Sequence, residues 1–131
     1  MNEFLTIKEK DHYLELAKKE NWINHTSTHS GRKSMLYFMP CEYKEFERVA
    51  LMKMNPNTTQ DWHKDGNRNT VLIYPLSKNY APGTTRAGEY NGPTLLDVSK
   101  EHAVFNNNAT RINLQIGFNE GIREVWNLLK S

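Results

Sequence analysis

The sequence predicts a mainly β protein, an antiparallel sandwich or small barrel preceded by one helix. Three observations carry that reading. From Ser34 onward the chain falls into short runs with two-residue alternation, separated by turn formers. The stretch ahead of them has apolar residues at helical spacing. At 131 residues, 37% apolar and 11% aromatic, the chain suffices for the core of one domain. A single domain over 1–131 is expected, with its β core at about 34–118.

Residues 6–22, TIKEKDHYLELAKKENW, set Ile7, Tyr13, Leu14, Leu16, Ala17 and Trp22 among charges. Thr6 precedes Glu9 by three residues, the spacing of an N-cap and its box partner, so one amphipathic helix is expected. Residues 24–33, NHTSTHSGRK, are small and polar and read as an exposed loop, a candidate substrate lid. His25 and His29 are four apart, which on a helix would make a metal pair. Their Ser, Thr and Gly neighbours favour a loop instead, with solvated histidines. The strand candidates are SMLYFMP, FERVALMKM, TQDWHKD, NTVLIYPL, PTLLDV, EHAVF and RINLQIGF. Between them stand turn sequences such as Asn55-Pro56-Asn57, Gly66-Asn67, Ala81-Pro82-Gly83 and Asn91-Gly92-Pro93. The closing GIREVWNLLK is expected as a short helix or an extended tail.

Charge narrows the function classes. Lys and Arg number 17 against 15 Asp and Glu, a net charge of +2. That near balance argues against a nucleic-acid partner and against a membrane surface. Mean hydropathy is −0.77, and no apolar run approaches the ~18–20 residues of a membrane span. The opening MNEFLTIKEKDHY is charged throughout, unlike a secretory leader, so a cytoplasmic location is expected. Cys41 is the one cysteine, which rules out an internal disulfide and a Cys-based zinc site. The apolar C-terminal stretch is compatible with a dimer.

In Arg111–Phe118, Ile112, Leu114, Ile116 and Phe118 share one face, and Arg111, Asn113, Gln115 and Gly117 the other. A half-buried strand with its polar face in water fits this pattern, and so does a barrel with a polar interior. Trp62-His63-Lys64-Asp65-Gly66 favours the barrel. In an extended chain His63 and Asp65 point to one face with Cα atoms ~6.5–7 Å apart, close enough to converge on one metal ion. Alone the motif is weak. His102 opens another strand candidate and completes a two-histidine, one-carboxylate facial triad, a set that suits Fe(II) in oxygenases and leaves three coordination positions open. Arg111 heads the next strand. Buried and inward-facing, it is costly unless it meets an anion, and its planar fork suits a carboxylate.

The order His63-x-Asp65 … His102 … Arg111 resembles the Fe(II)/2-oxoglutarate-dependent dioxygenases. The likeness runs from about Arg48 to Phe118. RVALMKMNPNTTQDWHKDG resembles the strands that lead into the first ligands, RNTVLIYPLS the next strand and AGEYNG the turn after it. HAVFNNNATRINLQIGF resembles the distal-ligand and arginine strands. The prolyl-hydroxylase-like and aspartyl/asparaginyl-hydroxylase-like branches are the most similar in texture. The resemblance implies a double-stranded β-helix, a jelly-roll or cupin-like barrel, and hydroxylation of a protein side chain, amino acid or small metabolite, with release of succinate and CO2. His63, Asp65 and His102 would hold Fe(II). Arg111 would bind the distal carboxylate of 2-oxoglutarate, with O2 as the other cosubstrate. Asn113 stands where relatives have a small polar group and is a further cosubstrate contact. Tyr74 is placed to reach the same carboxylate, and Arg68 to meet the cosubstrate's other carboxylate or the substrate. Nucleic-acid demethylase relatives carry a second arginine where this chain has Gly117, a departure that counts against that branch. The alternative is a cupin-like jelly roll that binds a metal or small ligand without redox turnover.

Overall fold

The computed structural model describes residues 5–19, 21–25 and 36–130. Helix α1 (Ile7–Leu16) begins where the Thr6 hydroxyl accepts from the Glu9 amide and Glu9 accepts in return from the Thr6 amide, at 3.1 and 3.0 Å. It ends at Ala17, short of the expected 22. Trp22 folds back and its indole Nε1 donates to the Ala17 carbonyl at 3.1 Å, occupying an acceptor that a further helical turn would use. The expected loop at 24–33 begins instead as a strand: β1 (Ile23–His25) pairs antiparallel with β2 (Leu36–Pro40). The rest of that loop, with its lid reading and His29, lies outside the described residues.

Each remaining strand candidate forms its strand: β3 (Val49–Met54), β4 (Thr59–His63), β5 (Thr70–Pro75), β8 (Thr94–Asp97), β9 (His102–Phe105) and β10 (Arg111–Phe118). Besides β1, two further strands were not expected. AGEYNG is no simple turn, because β6 (Gly83–Thr85) and β7 (Gly88–Tyr90) make a hairpin whose first strand also pairs with β9. Three residues per strand are too few to show a period. GIREVWNLLK forms helix α2 (Ile122–Lys130).

The strands make two antiparallel sheets, ordered β1-β2-β3-β10-β5-β8 and β4-β9-β6-β7. From β3 to β10 the chain passes back and forth between them: β4 lies in the small sheet, β5 in the large, the β6–β7 hairpin in the small, β8 in the large and β9 in the small. That alternation is a double-stranded β-helix, the fold that the resemblance implied.

The large sheet buries both faces. Its outer face carries Leu51, Leu72, Tyr74, Leu114 and Ile116 into a core shared with Leu5 and Tyr13 of the α1 region and Val125 of α2. Burying each such side chain favours folding by roughly 1.5–3 kcal/mol. Its inner face meets the small sheet across a cavity of about 680 Å³. The expected alternation of β10 is therefore real, and its polar face is the barrel interior: Arg111, Asn113 and Gln115 line the cavity. Among the described residues, no helix is long and apolar enough to cross a membrane.

Candidate metal centre

Strand pairing brings the metal-ligand candidates together. His63, the last residue of β4, is the direct cross-strand partner of His102, the first of β9, and their rings lie 4.2 Å apart between centroids. A register shift between Gln60 and His63 turns the end of β4 so that Gln60 and His63 both face the cavity. Asp65 follows just beyond the strand, held by its amide on the Val98 carbonyl at 2.8 Å. Asp65 Oδ1 stands 3.4 Å from His102 Nε2 and 3.6 Å from His63 Nε2. Ligand atoms bound at ~2.0–2.2 Å to one ion sit roughly 3.0–3.5 Å from one another, so the spacing fits a shared metal.

The hydrogen bonds around the rings make the same case. His63 Nδ1 meets the Asp61 carbonyl at 2.7 Å, and His102 Nδ1 meets the Lys100 carbonyl at 2.9 Å. A carbonyl only accepts, so each Nδ1 carries a proton and leaves its Nε2 facing Asp65 as the atom available to a metal. Burial opposes ionisation of Asp65. Hydrogen bonds from His102 and Arg68, with the Arg68 charge beside it, overcome that and bring its carboxyl down to about 2. The two Nε2 atoms and the Asp65 carboxylate form a set that a cation bound between them would satisfy. Among the described residues this is the one cluster with metal-ligand spacing.

Arg111 is 8% exposed and lines the same cavity. Its Nε donates to the Ala81 carbonyl at a long 3.4 Å, and its charge faces the Tyr90 and Tyr80 side chains. Burial pushes its pKa down, with the Tyr90 and Tyr80 side chains working against that. No described carboxylate pairs with it. Asn113 is 2% exposed, and its Oδ1 has no described hydrogen-bond partner. A buried guanidinium with no described carboxylate partner and an orphan amide oxygen on successive inward positions of one strand make a place that a polar ligand would fit.

Tyr74 is not there. It belongs to the outer core, with the Lys10 ammonium 5.4 Å above its ring. Val71 and Ile73 line the cavity, so the two-residue period of β5 turns Tyr74 the other way. The phenol near Arg111 is Tyr90, on the unexpected β7. Burial raises its pKa, with Arg111 beside it working against that, so it is a neutral donor at physiological pH. Tyr90 crosses directly over Gly83, where any Cβ would overlap its ring. A glycine and a tyrosine flanking Thr-Thr-Arg-Ala-Gly-Glu is the only sequence signal for this arrangement. Arg68 lines the cavity with its Nε on Asp65 Oδ2 at 2.8 Å.

No protein-family model and no curated protein matches the chain. Solved structures do. A protein from Photorhabdus luminescens is similar at 13% identity over 87% of this chain and 97% of its own, with a TM-score of 0.53. A predicted oxalate decarboxylase from Thermotoga maritima is similar at 16% identity over 74% and 90%, with a TM-score of 0.52. An RmlC-like cupin protein from Desulfovibrio desulfuricans is similar at 10% identity over 74% and 96%, with a TM-score of 0.50. These likenesses give the chain the cupin-like double-stranded β-helix fold.

Proposed function

We propose that the protein is an Fe(II)- and 2-oxoglutarate-dependent dioxygenase acting as a hydroxylase. The observation that carries this reading is the pairing, within one cavity, of a His-Asp-His ligand set with a buried arginine that has no described carboxylate partner. Metal-binding barrels in general need the first feature. A cosubstrate with a distant carboxylate gives a reason for the second.

In this reading His63 Nε2, His102 Nε2 and one oxygen of Asp65 hold Fe(II), with Asp61 and Lys100 carbonyls fixing the imidazoles in the ligating tautomer. Bound iron supplies O2 chemistry: 2-oxoglutarate, O2 and a substrate C–H give succinate, CO2 and C–OH. One oxygen atom enters succinate and the other the alcohol. The four electrons that O2 accepts come equally from the keto acid and the C–H bond. Arg111 clamps the far carboxylate of the keto acid, with Tyr90 donating beside it. Asn113 donates through Nδ2 to the same group. The apolar wall of Val71, Ile73, Leu96 and Val98 excludes water from the reacting face.

Oxygen-dependent conversion of 2-oxoglutarate to succinate by the Fe(II)-loaded protein tests the proposal. Turnover lost in His102→Ala is expected. Tight metal binding with no succinate formed above a protein-free control sinks it, and leaves the cupin-like binding protein without redox turnover.

A further inference from the structure

Three charged side chains line the cavity among the described residues: Asp65, Arg68 and Arg111. With a divalent metal and a doubly charged keto diacid in place, the metal and Arg111 are offset by the diacid and Asp65. The charge of Arg68 is left over. In a partly desolvated site an uncompensated guanidinium attracts a single negative charge.

The geometry gives that charge a place. Arg68 spends its Nε on Asp65, and no described residue accepts from its two Nη groups. A Cβ at Gly117 would stand 3.0 Å from Arg68 Cδ and 3.2 Å from Nη1. The guanidinium therefore lies over Gly117 on the inner face of β10, in space that a larger residue would fill. Its side chain is 27% exposed, so it sits where the cavity opens to solvent. Gly117 is six residues beyond Arg111, roughly 20 Å along the strand, so an anion on Arg68 is not the one on Arg111. Beside it the wall is apolar. Val71 is the cross-strand partner of Gly117, Leu96 is the partner of Val71, and Val98 holds the Asp65 amide.

We infer that Arg68, laid over Gly117 at the cavity mouth, binds the carboxylate of the second substrate. That substrate is a small aliphatic monocarboxylic acid whose carbon chain lies along Val71, Leu96 and Val98 toward the metal ligands. The inference rests on the hydroxylase reading and names its substrate class. Arg68 is a binding and specificity residue in it.

The test is anaerobic calorimetric titration of the protein loaded with Fe(II) and 2-oxoglutarate. The probes are isovalerate, hexanoate, L-leucine and L-proline, each beside its methyl ester. At least one acid is expected to bind about tenfold or more tighter than its ester, since the ester removes a charge-assisted hydrogen bond. Arg68→Gln should reduce that preference to near unity. Gly117→Ala, whose methyl group would press on Arg68 Cδ and Nη1 at 3.0 and 3.2 Å, should lower that preference in part with the charge retained, and thermal melting checks that both variants fold. Equal binding of acids and esters, a preference that survives Arg68→Gln, or no acid binding below millimolar concentration overturns the inference. So does a tenfold loss of 2-oxoglutarate affinity in Arg68→Gln, which would assign Arg68 to the keto acid's metal-side carboxylate. If the keto acid does not bind wild-type protein at all, the hydroxylase reading fails. The acid–ester comparison on the metal-loaded protein then still decides the role of Arg68.

Discussion

Replacing Arg111 by methionine should move stability and ligand affinity in opposite directions. The guanidinium is buried, its one backbone hydrogen bond is long at 3.4 Å, and its pKa is depressed by burial. Exchanging a buried charge for an apolar side chain of similar volume is often stabilising by about 1–4 kcal/mol. Methionine gives up the hydrogen bond to Ala81 and the polar pairing with Tyr90, which sets the expectation at the low end, about 1–2 kcal/mol. For a chain of this size that raises Tm by roughly 3–8 °C. With ligand the sign reverses. Removing one partner of a buried charged pair costs about 3–5 kcal/mol, so 2-oxoglutarate should bind roughly 10²–10⁴-fold more weakly. Differential scanning calorimetry of metal-free protein reads the first effect, and the shift of Tm by 2-oxoglutarate with Fe(II) under anaerobic conditions reads the second. An Arg111→Met protein that is less stable by more than about 1 kcal/mol, or one still stabilised by the keto acid as wild type is, would refute the claim that Arg111 is held for an anion.

Other substitutions separate the site from its surroundings. His63→Ala should lower Fe(II) affinity by about 100-fold or more while leaving the melting temperature of the metal-free protein within a few degrees, read by metal titration beside calorimetry. Gly83→Ala should destabilise by about 1–3 kcal/mol, because its methyl group meets the Tyr90 ring, and should weaken keto-acid binding with it; an unperturbed variant would show that Tyr90 packs elsewhere. Tyr74→Phe should leave keto-acid affinity within about twofold, since the ring faces α1. The folded-state pKa of Asp65, about 2, lies below its ordinary value, so ionised Asp65 stabilises the fold above pH ~4. That contribution disappears as pH falls toward 2. Urea midpoints of metal-free wild type and Asp65→Asn should therefore converge between pH 5 and pH 2, and parallel curves would exclude the linkage.

How much the sequence disclosed depended on whether each strand carries a contrast between its faces. On β10 the alternation of charged or polar with aliphatic residues set the phase, and Arg111 and Asn113 fell on the inner face as expected. His63 and Asp65 were legible because two-residue spacing directs both to one side. Their meeting with His102 depends on β4–β9 pairing, which spacing alone does not encode. On β5, Thr70 through Tyr74 are all buried. A strand apolar on both faces has no phase to read, and Tyr74 went to the wrong side. Tyr90 escaped notice because its strand is three residues long and gains its order from the β6–β7 hairpin and the opening above Gly83. The end of α1 was likewise set by a contact across a turn, the Trp22 indole on Ala17.

The most direct measurement is an anaerobic titration of metal-free protein with Fe(II) and then with 2-oxoglutarate, followed by visible absorption. A weak charge-transfer band should appear on addition of the keto acid and not before, and should be lost at the same concentrations in Arg111→Met. Iron binding without a band, or a band indifferent to Arg111, would contradict the assignment of the cavity to an iron and keto-acid centre.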